Sequence, residues 1–182
     1  MEERARTAVM VEGGAGDGEE ETFRGFFSEH YDRLARALFL LSGDPGEAED
    51  VAQEAMVRVY ERWDRVAAMA SPAGYLYRTA LNLHRSRLRR LAIRLRRRGD
   101  VPVPPEDPAD AAAARDEVAR ALAALPDGQR EAVVLVSWLG MDAEEAGRIL
   151  GVEPVTVRVR LSRARTAMRQ RLHEIDEGDP DA

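Results

Sequence analysis

The amino-acid sequence predicts an all-α fold: two small helical domains joined by a flexible, proline-rich linker. Apolar residues recur at helical spacing through residues 23–98 and again through 111–172. Between these stretches, residues 101–110 hold four prolines and no helical period, the composition of a domain boundary. Strand-like alternation appears only at residues 155–161, where Pro154 and the helical pattern that follows favour a helix start instead.

Residues 1–21 are acidic and glycine-rich with no hydrophobic period, and they read as a disordered tail. The run Gly13-Gly14-Ala15-Gly16 lacks the preceding strand and following Gly-Lys-Ser/Thr of a phosphate loop. The first domain, residues 22–98, opens with Phe23, Phe26, Phe27, Tyr31, Leu34, Leu38 and Leu41 at helical spacing, halted by Ser42-Gly43-Asp44-Pro45-Gly46. The next helix sets Ala48, Val51, Ala52, Ala55, Val59 and Trp63 on a core face. It turns Asp50, Gln53, Glu54 and Glu61 toward water or a partner. Ser71-Pro72, a cap residue followed by proline at the first helical position, starts a helix that runs into an arginine block.

After the linker, residues 99–112, comes a second helical set at 113–173, followed by a short acidic tail at 174–182. An alanine-rich helix ends at Pro126, and a helix from Asp127 ends before Gly140. The segment from Asp142 to Arg165 then reads as a helix-turn-helix. Asp142 with Glu145 three residues on forms a capping box, Leu150-Gly151 closes the first helix, and Pro154 opens the second. Ala146, Ile149, Val152, Val157 and Leu161 pack the pair, leaving Arg158, Arg160, Arg163 and Arg165 outward. Arginines so placed can read guanine edges in a major groove and hold phosphates.

The charge distribution supports that reading. The net charge is -6, and every basic residue is arginine. Residues 81–98 carry eight arginines and no acid, and residues 154–172 carry six and no acid. Taking these fourteen from the net leaves -20 on the remainder. The absence of cysteine excludes disulfide scaffolds, thiolate metal sites and cysteine nucleophiles. The three histidines, His30, His84 and His173, lack local ligand spacing and read as surface or boundary residues. No cofactor or metal is expected. No apolar run approaches the roughly 20 residues a membrane span needs, and the N-terminus lacks the order of a secretory signal, so a cytoplasmic location is expected.

The run Leu125-Pro126 with Gln129-Arg130, the helix-turn-helix, and Thr156-Val157-Arg158, Arg160 and Arg163-Ala164-Arg165 resemble region 4 of extracytoplasmic-function sigma factors. Upstream, Leu41-Ser42-Gly43-Asp44, the stretch from Ala48 to Ala55, Trp63 and Asn82 resemble region 2 of the same family, of the actinobacterial sigma-E type. The resemblance covers nearly all of the ordered chain. It implies binding to RNA polymerase core through Asp50, Gln53 and Glu54. It implies contact with the promoter -10 element through Arg78, Asn82 and Arg85, with the loop at 66–72 reading bases, and contact with the -35 element through Thr156, Arg158, Arg160, Arg163 and Arg165. It also raises an anti-sigma factor as a partner. Two departures stand out: Glu153-Pro154-Val155 where the family usually has a small polar residue and glycine, and Ala146 in place of a larger aliphatic residue.

Two other classes fit the sequence less well. A free-standing helix-turn-helix regulator would need a ligand or phospho-acceptor domain, and the N-terminal half shows none. An enzyme would need an acid–base pair, a nucleophile or a nucleotide motif in context, and none is present.

Overall fold

The computed structural model describes residues 14–98 and 113–176, with side chains described for 18–96 and 118–170. The expected linker at 99–112, residues 1–13 of the expected tail and the last six residues lie outside the described residues. Those described are all-α, with no strand among them. The strand-like alternation at 155–161 is therefore helix.

Helix α1 (Gly14–Ser42) starts inside the stretch read as a disordered tail, which corrects that expectation for residues 14–21. Tertiary contact explains the difference. The Trp63 ring nitrogen donates to the Thr22 hydroxyl at 3.0 Å, and the Phe23 ring lies 4.8 Å from Tyr60 and 5.3 Å from Trp63. With a turn fixed at Thr22 and Phe23, extending the helix back costs little, because nucleation is the expensive step. An ion pair between Arg24 and Glu21, three residues apart, adds local support.

Helix α2 (Pro45–Tyr60) begins as its sequence predicts, with the Asp44 carboxylate accepting from the Glu47 amide at 3.0 Å and Pro45 in the first turn. Its buried side is Ala48, Val51, Ala52, Ala55, Met56 and Val59. The short α3 (Trp63–Ala67) leads to α4 (Pro72–Arg98), where the Ser71 hydroxyl accepts from the Gly74 amide at 3.0 Å. The second half comprises α5 (Ala113–Ala123) and α6 (Asp127–Val133), then a π-helical stretch at Val134–Trp138, α7 (Ala143–Leu150) and α8 (Pro154–Asp176). In the π-helical stretch the Leu139 amide reaches back five residues to the Val134 carbonyl at 2.9 Å. Val134 and Leu135 are buried there, while Trp138 remains about half exposed.

The two halves share one core. Leu34, Leu38 and Leu41 of α1, with Tyr77 and Leu81 of α4, meet Val134, Leu135 and Leu139 of the second half in a single buried cluster. The void left between them is only ≈ 10 Å³. Polar contacts cross the same seam: Arg33 donates to the Leu139 carbonyl at 2.6 Å and Arg130 to the Leu41 carbonyl at 2.7 Å. A second, smaller cluster of Leu122, Leu125 and Ala164 fastens α5 to α8.

Candidate polymerase and nucleic-acid interface

On α2, burying the alanine and valine stripe leaves Asp50 and Gln53 exposed and Glu54 half-buried on the opposite side, as the pattern predicts. Glu54 accepts from Arg58 at 2.7 Å and from Arg87 of α4 at 2.9 Å. The Arg87 hydrogen bond holds its carboxyl below the usual range, so Glu54 is ionised. Arg87 also lies 3.7 Å from Asp50. One arginine of the block in α4 therefore turns to the acidic face. Val57 and Tyr60, both about half exposed, continue that face by one and two turns. The signal was present in the sequence, since neither belongs to the apolar stripe of α2.

On α4, Arg78, Asn82 and Arg85 fall at four- and three-residue intervals and so line one face. Arg78 and Asn82 are exposed. Arg85 is engaged: its Nε and Nη2 donate to the two carboxylate oxygens of Glu131 in α6, at 2.6 and 2.7 Å. Nothing in the local pattern announces this pair, which joins residues 46 apart. Tyr77 is buried against His30 in the core. Tyr75 is half-buried and accepts a hydrogen bond from Arg62 at 3.1 Å. His84, read as a surface or boundary residue, is buried with its Nδ1 3.3 Å from Glu47, and burial lowers its pKa. The apolar period of α4 carries it inward between α2 and the second half.

The helix-turn-helix forms from its punctuation. The Asp142 carboxylate accepts from the Glu145 amide at 2.7 Å, and Gly151 ends α7 in the left-handed region with φ 70°. Gly147 is also required: a Cβ there would meet the Val152 carbonyl oxygen at 2.8 Å, so the turn closes directly over bare backbone. Ala146, Ile149, Val157 and Leu161 are buried between the helices and Val152 is half-buried. Glu153 caps α8 through its carbonyl, which accepts from Thr156 at 2.9 Å and Val157 at 3.3 Å. Its side chain is exposed at the positive end of the helix, where a phosphate would otherwise sit.

The arginines of α8 divide. Arg163 and Arg165 are exposed, with no hydrogen-bond or ion-pair partner among the described residues. Arg158 is exposed but paired with Glu144 of α7. Arg160, expected to point outward, is half-buried, and its guanidinium lies over Gly128 of α6, where an added Cβ would meet the guanidinium carbon at 3.1 Å. The outward face instead shows two residues the sequence reading passed over, Val155 at 61% exposure and Val159 at 43%. They fall four residues apart in the first two turns of the helix, with Arg158 between and Arg163 a turn further on. Apolar side chains there suit the methyl group of thymine.

Such an arrangement defines a helical DNA-binding adaptor: a helix-turn-helix with arginines on its second helix, and a separate acidic face on α2. Two family models match the chain, sigma-70 region 2 over residues 26–94 and sigma-70 region 4 over residues 115–168. The RNA polymerase sigma-E factor of Streptomyces avermitilis is 33% identical over 162 residues, covering 87% of this chain and 89% of that protein. Among solved structures, CnrH in complex with the cytosolic domain of CnrY is similar at 27% identity, covering 87% of this chain and 92% of that one, with a TM-score of 0.64. The sigma factor RpoE, in complex with the anti-sigma factor NepR from Bartonella quintana, shares the fold at TM-score 0.77 and 23% identity, covering 84% of this chain and 98% of that one. The chain belongs to the extracytoplasmic-function sigma factors of the sigma-70 superfamily, RNA polymerase subunits that direct promoter-specific initiation.

Proposed function

We propose that the work of this sigma factor is divided between two units, residues 22–98 and residues 113–173, connected through 99–112. In the first, Asp50, Gln53 and Glu54 bind RNA polymerase core, with Val57 and Tyr60 extending the contact. Arg78, Asn82 and Arg85 meet the -10 element, beside the loop at 66–72. In the second, Thr156, Arg158, Arg160, Arg163 and Arg165 serve the -35 element. Arg163 and Arg165 stand ready for DNA, Arg158 must leave Glu144, and Arg160 braces α8 against α6 from behind. The protein works in the cytoplasm as a binding factor without catalysis of its own. An anti-sigma factor is expected as a further partner, and the half-exposed Val57 and Tyr60 offer it apolar surface.

The observation that carries this reading is the separation of faces on α2, where the whole apolar stripe is buried while Asp50 and Gln53 stand exposed and free of any role in the core. Asp50→Ala with Gln53→Ala should weaken core binding by about tenfold or more and leave the far-ultraviolet circular dichroism spectrum unchanged. Core affinity equal to the parent's would remove this face from the interface.

A further inference from the structure

Arg87 stands at a position that the apolar period of α4 reserves for a hydrophobic residue. Leu76, Ala80 and Leu83 recur at intervals of four and three and are buried, and four residues further on the same stripe reaches Arg87. The facing stripe of α2 holds Ala48, Val51, Ala52 and Ala55, all buried. The Arg87 side chain, 29% exposed, lays its stem along this edge and brings its charged head out beside two carboxylates of α2. Its Nη2 donates to Glu54 Oε2 at 2.9 Å, and its Nη1 lies 3.7 Å from Asp50 Oδ2. Arg58 donates to the other Glu54 oxygen at 2.7 Å. Stability alone does not account for an arginine here. A partly exposed ion pair contributes little to folding, and a leucine would fill the stripe at least as well. What the guanidinium supplies is direction. A carboxylate has about four acceptor positions. Two arginines take one on each Glu54 oxygen and leave the rest open to a partner.

We propose that Arg87 is a positioning residue for the polymerase interface, an inference that rests on the assignment of Asp50 and Glu54 to core. Anchored between α2 and α4, it fixes the Glu54 carboxylate by a hydrogen bond and draws in Asp50 by charge, so that core meets two acids already in place. Arg87 does not itself touch core. An acid held in one rotamer before association has less freedom to lose on binding, and the saving appears as affinity. Arg58, four residues along the same helix as Glu54, turns with α2; Arg87 comes from a second helix and so fixes the carboxylate relative to the body of the domain.

Titration calorimetry of the full chain into core RNA polymerase, run beside urea denaturation of the free chain, separates positioning from packing. Arg87→Leu keeps the apolar stripe filled and removes the guanidinium. Its urea midpoint should equal or exceed the parent's, while its affinity for core should fall by about fivefold. Arg87→Lys, which returns the charge with a single donor head, should recover part of that loss. Arg89→Leu removes the same charge from an exposed position two residues on and should bind core as the parent does. In a chain already carrying Asp50→Ala and Glu54→Ala, Arg87→Leu should cost core binding nothing further, because the residues through which it acts are gone. An equal loss on both backgrounds would show that Arg87 touches core directly and would overturn the positioning role, as would a fall in the urea midpoint large enough to explain the lost affinity. If Asp50→Ala with Glu54→Ala leaves core affinity at the parent's value, the fault lies in the assignment of this face to core. If that pair weakens binding and Arg87→Leu does not, the fault lies in the role given to Arg87.

Discussion

The two halves bury their apolar residues in different places. In the first, α1, α2 and α4 pack on one another: Val51, Ala52, Val59 and Leu76 are inaccessible, and Phe23, Phe26 and Trp63 seal one end. In the second, Val134, Leu135 and Leu139 are spent on the other half, and the separate cluster of α5 and α8 amounts to Leu122, Leu125 and Ala164. A unit of about 60 residues buries a small fraction of its chain and is marginal alone. The second half thus borrows stability by docking on the first, and the seam between them is a source of its order.

The strongest way to break that comparison is Leu135→Ala. Leu135 is 2% exposed, and emptying such a site costs about 2–5 kcal/mol. The chain has two tryptophans, one in each half, so Trp138→Phe leaves Trp63 as a reporter of the first half alone. In urea titrations the Trp63 signal should move to lower denaturant when Leu135 is truncated in the other half. An unmoved Trp63 midpoint would mean that the halves unfold independently and that the shared core is dispensable to the first.

A smaller effect is expected at Arg163, which supports nothing in the fold. Its replacement by alanine should leave the urea midpoint unchanged and cost about 1–3 kcal/mol in promoter-dependent transcription if it reads a base edge. Position-specific loss across a set of -35 variants marks base readout, and uniform loss marks phosphate contact. Normal transcription on every variant would remove Arg163 from the interface.

What the sequence disclosed was local. Helix starts at Asp44-Pro45, Ser71-Pro72 and Asp142 are written in cap residues a few positions from the amides they satisfy, and the left-handed stop at Gly151 is written in glycine. The same locality explains the misses. The early start of α1 depends on Trp63, 41 residues from its partner Thr22; the burial of His84 depends on Glu47; the loss of Arg85 to Glu131 spans 46 residues. Periodicity tells which face of a helix is apolar, but not which other face it will meet. The two caps allow a matched test. Asp44→Ala and Asp142→Ala each remove one carboxylate from one amide, at a cost of about 1 kcal/mol, and in a chain with a shared core both should shift a single urea transition by similar amounts. Two transitions, each sensitive to only its own cap, would contradict the coupling.

The finest effect concerns α8, where polar and apolar contacts with DNA can be separated by chemistry on the DNA itself. Arg163 offers a charged donor, whereas Val155 and Val159, exposed beside it, are suited to a methyl group. Replacing thymine by uracil in the -35 element removes one methyl and leaves every hydrogen-bonding group in place. Burying a methyl is worth about 0.8 kcal/mol, close to a fourfold change in affinity. At the position facing Val159, uracil should weaken binding of the polymerase holoenzyme by about that factor. Val159→Ala should lose a similar amount on thymine DNA and then no longer distinguish thymine from uracil, because the methyl has lost its partner. Arg163→Ala should retain the discrimination. A parent protein indifferent to uracil at every -35 thymine would show that the valines face solvent or polymerase in the complex, leaving recognition by α8 to its polar residues.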